Sequence, residues 1–179
     1  MRLCLAFALL IAGSAAAAEP STALDYDPDQ FEIVQGVFCE VPTTGRSEAP
    51  GTVAGHVDLF AEVPEFQWLT NVVPAVPGLS FGVKTTARDG MVYDGVVLTL
   101  THPAFRDSGA TAQSYVTMLG GASTSINAYT FDTQEELAPG IWSFTATRNG
   151  RVLYSALFEV VPPSAAPEIA NACGGMPLS

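Results

Sequence analysis

Apolar and polar residues alternate along most of the chain in short runs separated by glycine, proline and Asx-Gly pairs, the signature of strands joined by tight turns. The pattern is clearest from Gly140 to Arg148 and from Arg151 to Val161, which flank Asn149-Gly150. Asn-Gly between two β-prone runs predicts a hairpin, because both turn residues must take positive φ. A two-residue turn pairs Arg148 with Arg151, Ala146 with Leu153, Phe144 with Ser155 and Trp142 with Leu157. Opposed residues share a face, so Trp142, Phe144, Ala146, Leu153 and Leu157 form one apolar surface. Phe158 and Val160 would then point away from it. A bulge near Ser155-Ala156 is therefore expected, since one extra residue flips the alternation.

Upstream, Phe31, Ile33, Val37, Cys39 and Val41 share one face, interrupted by Gln35 beside Gly36. Gly51 to Val63 reads as a second strand, and Leu79, Phe81, Val83, Thr85 and Ala87 mark a third. Asp89-Gly90 turns the chain into Met91 to Thr101, where Val96, Leu98 and Leu100 alternate with Val97, Thr99 and Thr101. Ala112 to Leu119 and Asn127 to Asp132 add two more. Seven or eight short strands without a helix longer than ten residues predict an all-β antiparallel sandwich; Greek-key connections are expected of such a sandwich but do not follow from the pattern. Pro162-Pro163 ends the last strand, because proline donates nothing to a ladder. Residues 30–161 form the domain, 19–29 an acidic flexible lead-in, and 162–179 a tail rich in Pro, Ala and Gly.

The first eighteen residues read as a signal peptide: Arg2 after the initiator, an uncharged run from Leu3 to Ala12, and the small residues Ala15 to Ala18 before Glu19. The run is about half the length that spans a bilayer, which predicts removal rather than anchoring and no membrane insertion afterwards. The expected location is periplasmic or secreted. Without the leader the chain keeps 161 residues, enough for one domain with a sizeable core. Six basic residues then face eighteen acidic ones. That balance repels phosphate backbones, so no nucleic-acid partner is expected. It also suits an acidic, soluble exported protein. Of three cysteines, Cys4 leaves with the leader; Cys39 and Cys173 remain and are expected to form a disulfide in an oxidising compartment.

Phe81-Gly82-Val83, Leu100-Thr101-His102-Pro103, the stretch Ala138 to Phe144 and Phe158-Glu159-Val160-Val161 together resemble a small exported bacterial domain family of unknown function, immunoglobulin-like in character. The likeness runs from about Phe31 to Val161. It implies an immunoglobulin-like sandwich and export, and it assigns no catalytic residue. The acidic start and the Cys173 tail lie outside it.

Gly78-Leu79-Ser80-Phe81-Gly82 matches G-x-S-x-G, with Asp89 or Asp94 and then His102 downstream. That motif works only on a strand, a sharp turn at the serine and a helix. Here β-branched residues continue the strand past Ser80, so no nucleophile is assigned. His56 and Asp58, two apart on a strand, share a face, but two histidines without a cysteine cluster are too few ligands for a dedicated zinc site. Asp25 to Asp29 opens like a calcium loop, yet Gln30 and Gly36 occupy the positions that need Gly and Glu. No cofactor is expected. Trp68, Tyr93, Phe105, Tyr115, Tyr129 and Tyr154 fall outside the clearest core alternations. With His102, the rings of Trp68 and Phe105 are the candidate ligand surface, presented by the loops 64–77 and 101–112. The function expected is that of a non-catalytic envelope interaction or accessory module whose partner is an envelope protein. The alternative is a carbohydrate-binding module that uses exposed aromatics on a polysaccharide.

Overall fold

Asn149 and Gly150 close the expected hairpin at φ 52° and 77°, the left-handed conformations that such a turn requires. The computed structural model describes residues 23–121 and 123–174; the expected signal peptide, 1–18, lies outside the described residues. The strands are β1 (Leu24–Tyr26), β2 (Phe31–Cys39), β3 (Thr43–Glu48), β4 (His56–Phe60), β5 (Val72–Pro74), β6 (Leu79–Ala87), β7 (Val92–Thr101), β8 (Ala112–Gly120), β9 (Ser125–Thr130), β10 (Gly140–Arg148) and β11 (Arg151–Val161). One short helix, α1 (Pro167–Cys173), follows.

Two sheets face each other. One has the order β1-β11-β10-β7-β8, with β5 added in parallel along β11; the other is β2-β6-β9. The seven long strands of these sheets are the antiparallel immunoglobulin-like sandwich, and β3–β4 is a separate hairpin at its side. Alternation places Val96, Leu98, Leu100, Trp142, Phe144 and Phe158 inside from one sheet, and Phe31, Ile33, Leu79, Phe81 and Val83 from the other. Phe81 stands at the centre, with the rings of Phe131, Trp142, Phe144 and Phe158 between 5.1 and 5.7 Å away. Burying that many rings is the main drive for folding here.

The final hairpin carries its bulge nearer the turn than expected. Thr147 pairs with Val152 but Ala146 with Tyr154, so Leu153 is the extra residue. Tyr154, Ala156, Phe158 and Val160 thereby all reach the core, and Leu157 turns away from it. The expected core role of Leu157 is corrected, and so is the placing of Tyr154 outside the core, where it is fully buried.

Two further expectations change. The stretch read as one strand, Gly51 to Val63, is a turn followed by β4, and β4 pairs with β3, a strand the hydrophobic pattern does not reveal. Leu24–Tyr26, read above as part of a loose lead-in, is β1 and pairs with Tyr154 to Ala156. It stays because Leu24 and Tyr26 pack on the core and cover the edge of β11. After the last strand, Ile169 and Ala170 of α1 are buried, and the expected disulfide joins Cys173 to Cys39 at the end of β2.

Gly36 lets the connection from β4 to β5 cross the sandwich. A side chain there would come within 2.6 Å of the Phe66 ring and 2.7 Å of the Trp68 carbonyl. The bare backbone instead allows Val37 and Trp68 to exchange hydrogen bonds at the edge of β2.

Candidate functional site

The β3–β4 hairpin arches away from the sandwich and touches it again at its tip. There the Ser114 N–H donates to Gly51 O across 2.9 Å, and the Val53 N–H donates to Gln113 Oε1 across 2.8 Å. Gly51 makes the approach possible, since a Cβ would sit 2.4 Å from Ser114 O. Between the hairpin and the open side of the sandwich lies a cleft of about 450 Å³. One wall is the continuous run His56 to Val63. The other is Gln113, Tyr115 and Thr117 of β8 together with the continuous run Ile126 to Thr130 of β9, with Asp132 and Glu136 at one end.

A buried polar network lines the base. The Nδ1–H of His102 donates to Pro103 O at 2.9 Å. A carbonyl only accepts, so Nε2 carries the lone pair and takes an N–H from Gln113 at 3.3 Å. The second amide hydrogen of Gln113 goes to the Tyr129 hydroxyl at 3.4 Å. Tyr115 donates to Asn127 Oδ1 at 3.2 Å, and Asn127 donates to the Tyr154 hydroxyl at 3.5 Å. Desolvation holds His102 below its usual pKa and raises the phenols of Tyr115, Tyr129 and Tyr154. All four are neutral around pH 7.

The mouth is acidic. Among the described residues, Asp58, Glu62, Asp132 and Glu136 line the cleft, and no lysine or arginine does. Glu136 is a structural carboxylate: it is buried, and its Oε2 accepts the N–H groups of Asp132 and Thr133 at 2.6 and 2.9 Å. Asp58 holds Arg46 in a 3.0 Å ion pair. Asp132 sits at the rim, where partial burial and the nearby Glu136, Asp58 and Glu40 raise its pKa to about 6.

The residues singled out from sequence are not gathered at one surface. His102 and Phe105 do lie together, their rings stacked 3.9 Å apart and 18° from parallel. Both are buried, with the Trp142 ring 4.8 Å from the imidazole. They are therefore core, because the loop after β7 folds inward instead of displaying its ring. Trp68 is half-buried and lines a separate open groove against Ala166 to Ile169. Ser80 lies within β6, its hydroxyl 2.8 Å from that of Thr130. His56 and Asp58 both face the cleft, but the imidazole Nδ1 is engaged by Ala54 O. Among the described residues no three of His, Cys, Asp and Glu are grouped to hold a metal.

Sequence reasoning missed Gln113, Asn127, Asp132 and Glu136. A signal for the first two was present: in Ala112 to Leu119 the face that carries Leu119 also carries Gln113, and Asn127 shares an inward face with Phe131. Polar side chains at core-facing strand positions mark a buried network.

A family model described as a domain of unknown function, DUF3859, matches residues 28–160. No curated protein matches the chain. Among solved structures, an immunoglobulin-like protein from Pseudomonas aeruginosa is 21% identical, covers 78% of this chain and 98% of its own, and superposes with a TM-score of 0.51. That likeness is one of fold. An alkylpurine DNA glycosylase, AlkC, from Pseudomonas fluorescens, solved bound to DNA containing an abasic site analog, is 16% identical over 50% of this chain and 27% of its own, with a TM-score of 0.31. That likeness carries no argument.

Proposed function

Since the chain belongs to the DUF3859 family of domains of unknown function, we propose on physical grounds that it is a non-catalytic binding module of the cell envelope, with the cleft beside β4 as its ligand site. One observation carries this reading. The cleft is walled by a preformed hairpin latched at its tip, and polar groups converge on it from three strands. Ligand sites of folded domains have that character. Nucleophilic catalysis would need a nucleophile with a free base beside it. Here the Ser80 hydroxyl is taken by Thr130, and both ring nitrogens of His102 are engaged. The disulfide across 134 residues, together with the leader-like start, supports an oxidising compartment. The carbohydrate alternative loses its flat platform, since Phe105 and His102 stack inside the domain.

The test is crosslinking in the periplasm with the native chain and with Thr117→Trp, which fills the cleft. The native chain should capture a defined envelope protein that the filled variant loses. Equal capture by both would reject the cleft as the site.

A further inference from the structure

We infer that the cleft receives an extended, basic peptide segment as an added strand along the free edge of β9, an inference that rests on the binding reading above and specifies its ligand. β9 pairs only with β6 among the described residues. The Phe131 N–H donates to Leu79 O at 3.1 Å, and the Gly78 N–H donates to Phe131 O at 2.9 Å. These bonds set the phase of the ladder. Backbone groups alternate in direction along an antiparallel strand, so Tyr129 and Asn127 also bond toward β6. Ile126, Ala128 and Thr130 then turn their N–H and C=O groups to the opposite edge.

That edge faces the cleft. Five consecutive residues, Ile126 to Thr130, line it. Side chains on one face of a strand recur every second residue, so an unbroken run is a strand seen edge-on. Across the gap, His56 to Val63 is likewise unbroken, and among the described residues β4 pairs only with β3. An unpaired edge is ordinarily blunted by lysine, proline or a bulge. The segment Ser125-Ile126-Asn127-Ala128-Tyr129-Thr130 has neither residue, and its register with β6 is regular. The hairpin stands beside this edge with the cleft between them, and an exposed sheet edge next to an open groove is where strand addition occurs.

Charge selects the occupant. Among the described residues, four carboxylates and no lysine or arginine line the cleft, and only Asp58 has a cationic partner, Arg46. Among the described residues, no basic side chain is bonded to the carboxyls of Glu62 and Asp132. A peptide with lysine or arginine at alternate positions would bring its cations to these two while its backbone joins Ile126, Ala128 and Thr130. An acidic or neutral strand would make the same backbone bonds without that attraction.

The experiment selects from a random dodecapeptide phage library on the full mature chain, with its disulfide intact. Recovered peptides should be enriched in Lys and Arg and depleted in Pro. A synthetic copy of the leading peptide should slow amide exchange at Ile126, Ala128 and Thr130. N-methylating alternate residues of that peptide should weaken binding at least about tenfold, the loss of one or two backbone hydrogen bonds. Asp132→Asn should weaken the native peptide, and Ala128→Pro, which removes an outward donor and no bond to β6, should do so more. The methylated peptide keeps the test valid if Ala128→Pro fails to fold. Recovery of no peptide, of acidic or neutral sequences, or of peptides that leave the three amides unprotected would overturn strand addition. A neutral oligosaccharide that shifts Tyr115 and Tyr129 without protecting those amides would overturn it while leaving the cleft as the binding site. Binding unaffected by Thr117→Trp would reject both readings.

Discussion

Gln113 and His102 are joined inside the sandwich by a 3.3 Å amide-to-imidazole hydrogen bond, and the same glutamine receives the Val53 N–H from the hairpin tip. One side chain thus ties the core imidazole to the wall of the cleft. Gln113→Leu keeps the bulk but leaves His102 Nε2 unpaired in a buried site. The expected loss is about 1–3 kcal/mol, read by urea unfolding. Faster amide exchange at Val53 should accompany it, because the latch is gone. Unchanged exchange there would show that other contacts hold the hairpin.

His102 makes stability depend on pH in one direction. Burial holds its folded pKa below the ordinary 6.5, so the unfolded chain binds the proton more readily. Its contribution is full above pH 6.5 and declines as pH falls below that value. His102→Gln has no such group to protonate. Relative to the native protein, the variant should therefore gain stability as the solution is acidified, whatever its offset at neutral pH. Parallel pH profiles for the two in urea unfolding would contradict this.

Asp132 acts with the opposite sign. Its folded pKa is raised from 3.8 to about 6, first by desolvation and then by Glu136, Asp58 and Glu40. The folded chain keeps the proton more readily, so the stabilisation is complete below the unfolded value and lost as pH rises through 6. Asp132→Asn should thus melt higher than the native protein at pH 7. The difference should shrink as pH falls through 6 and vanish near 3.8. A variant less stable than the native chain at pH 7 would mean that the carboxylate is held by contacts stronger than the repulsion.

Why some of this was legible and some was not follows from what each strand buries. β6, β7 and β10 each place one face in the core, so Phe81, Leu98 and Trp142 announce their strands by alternation. β3 is exposed along its whole length. With no buried face it leaves no hydrophobic period, and the hairpin that forms the cleft stayed hidden for that reason. The bulge was foreseeable in kind, since Phe158 and Val160 had to reach the core. Its position at Leu153 was not, because a bulge at either place buries Phe158. Phe105 looked displayed only because it sits in a loop after a strand. The inward fold that stacks it on His102 is a tertiary contact with no local signature.

The Cys39–Cys173 bond fastens α1 to the end of β2 and closes a loop of 134 residues. Loop-closure entropy for a length of that order amounts to about 4–5 kcal/mol. Cys173→Ser should lower unfolding stability by an amount of that order, and dithiothreitol should do the same to the native protein while leaving the variant unchanged. Exchange should rise first at Ile169 and Ala170, the two residues that α1 buries. If reduction leaves α1 protected, packing rather than the crosslink holds it.

Gly51 and Gly55 flank the hairpin turn and should fail differently. Gly51 has no positive φ; its constraint is space, with Ser114 O 2.4 Å from where a Cβ would be. A backbone carbonyl in a strand cannot swing aside as a side-chain end does. Gly51→Ala must therefore push the tip off β8, breaking the Ser114-to-Gly51 hydrogen bond, at about 1–3 kcal/mol. Gly55 has open space around it but a φ of 73°. Gly55→Ala should cost about 1 kcal/mol in backbone strain, with the tip still docked. Exchange at Ser114 separates the two: it should accelerate in Gly51→Ala and stay at the native rate in Gly55→Ala. Because the docked tip holds the hairpin wall of the cleft in place, only the first variant should also weaken peptide capture. Equal behaviour of the pair would mean that turn conformation, and not the close approach to β8, positions the hairpin.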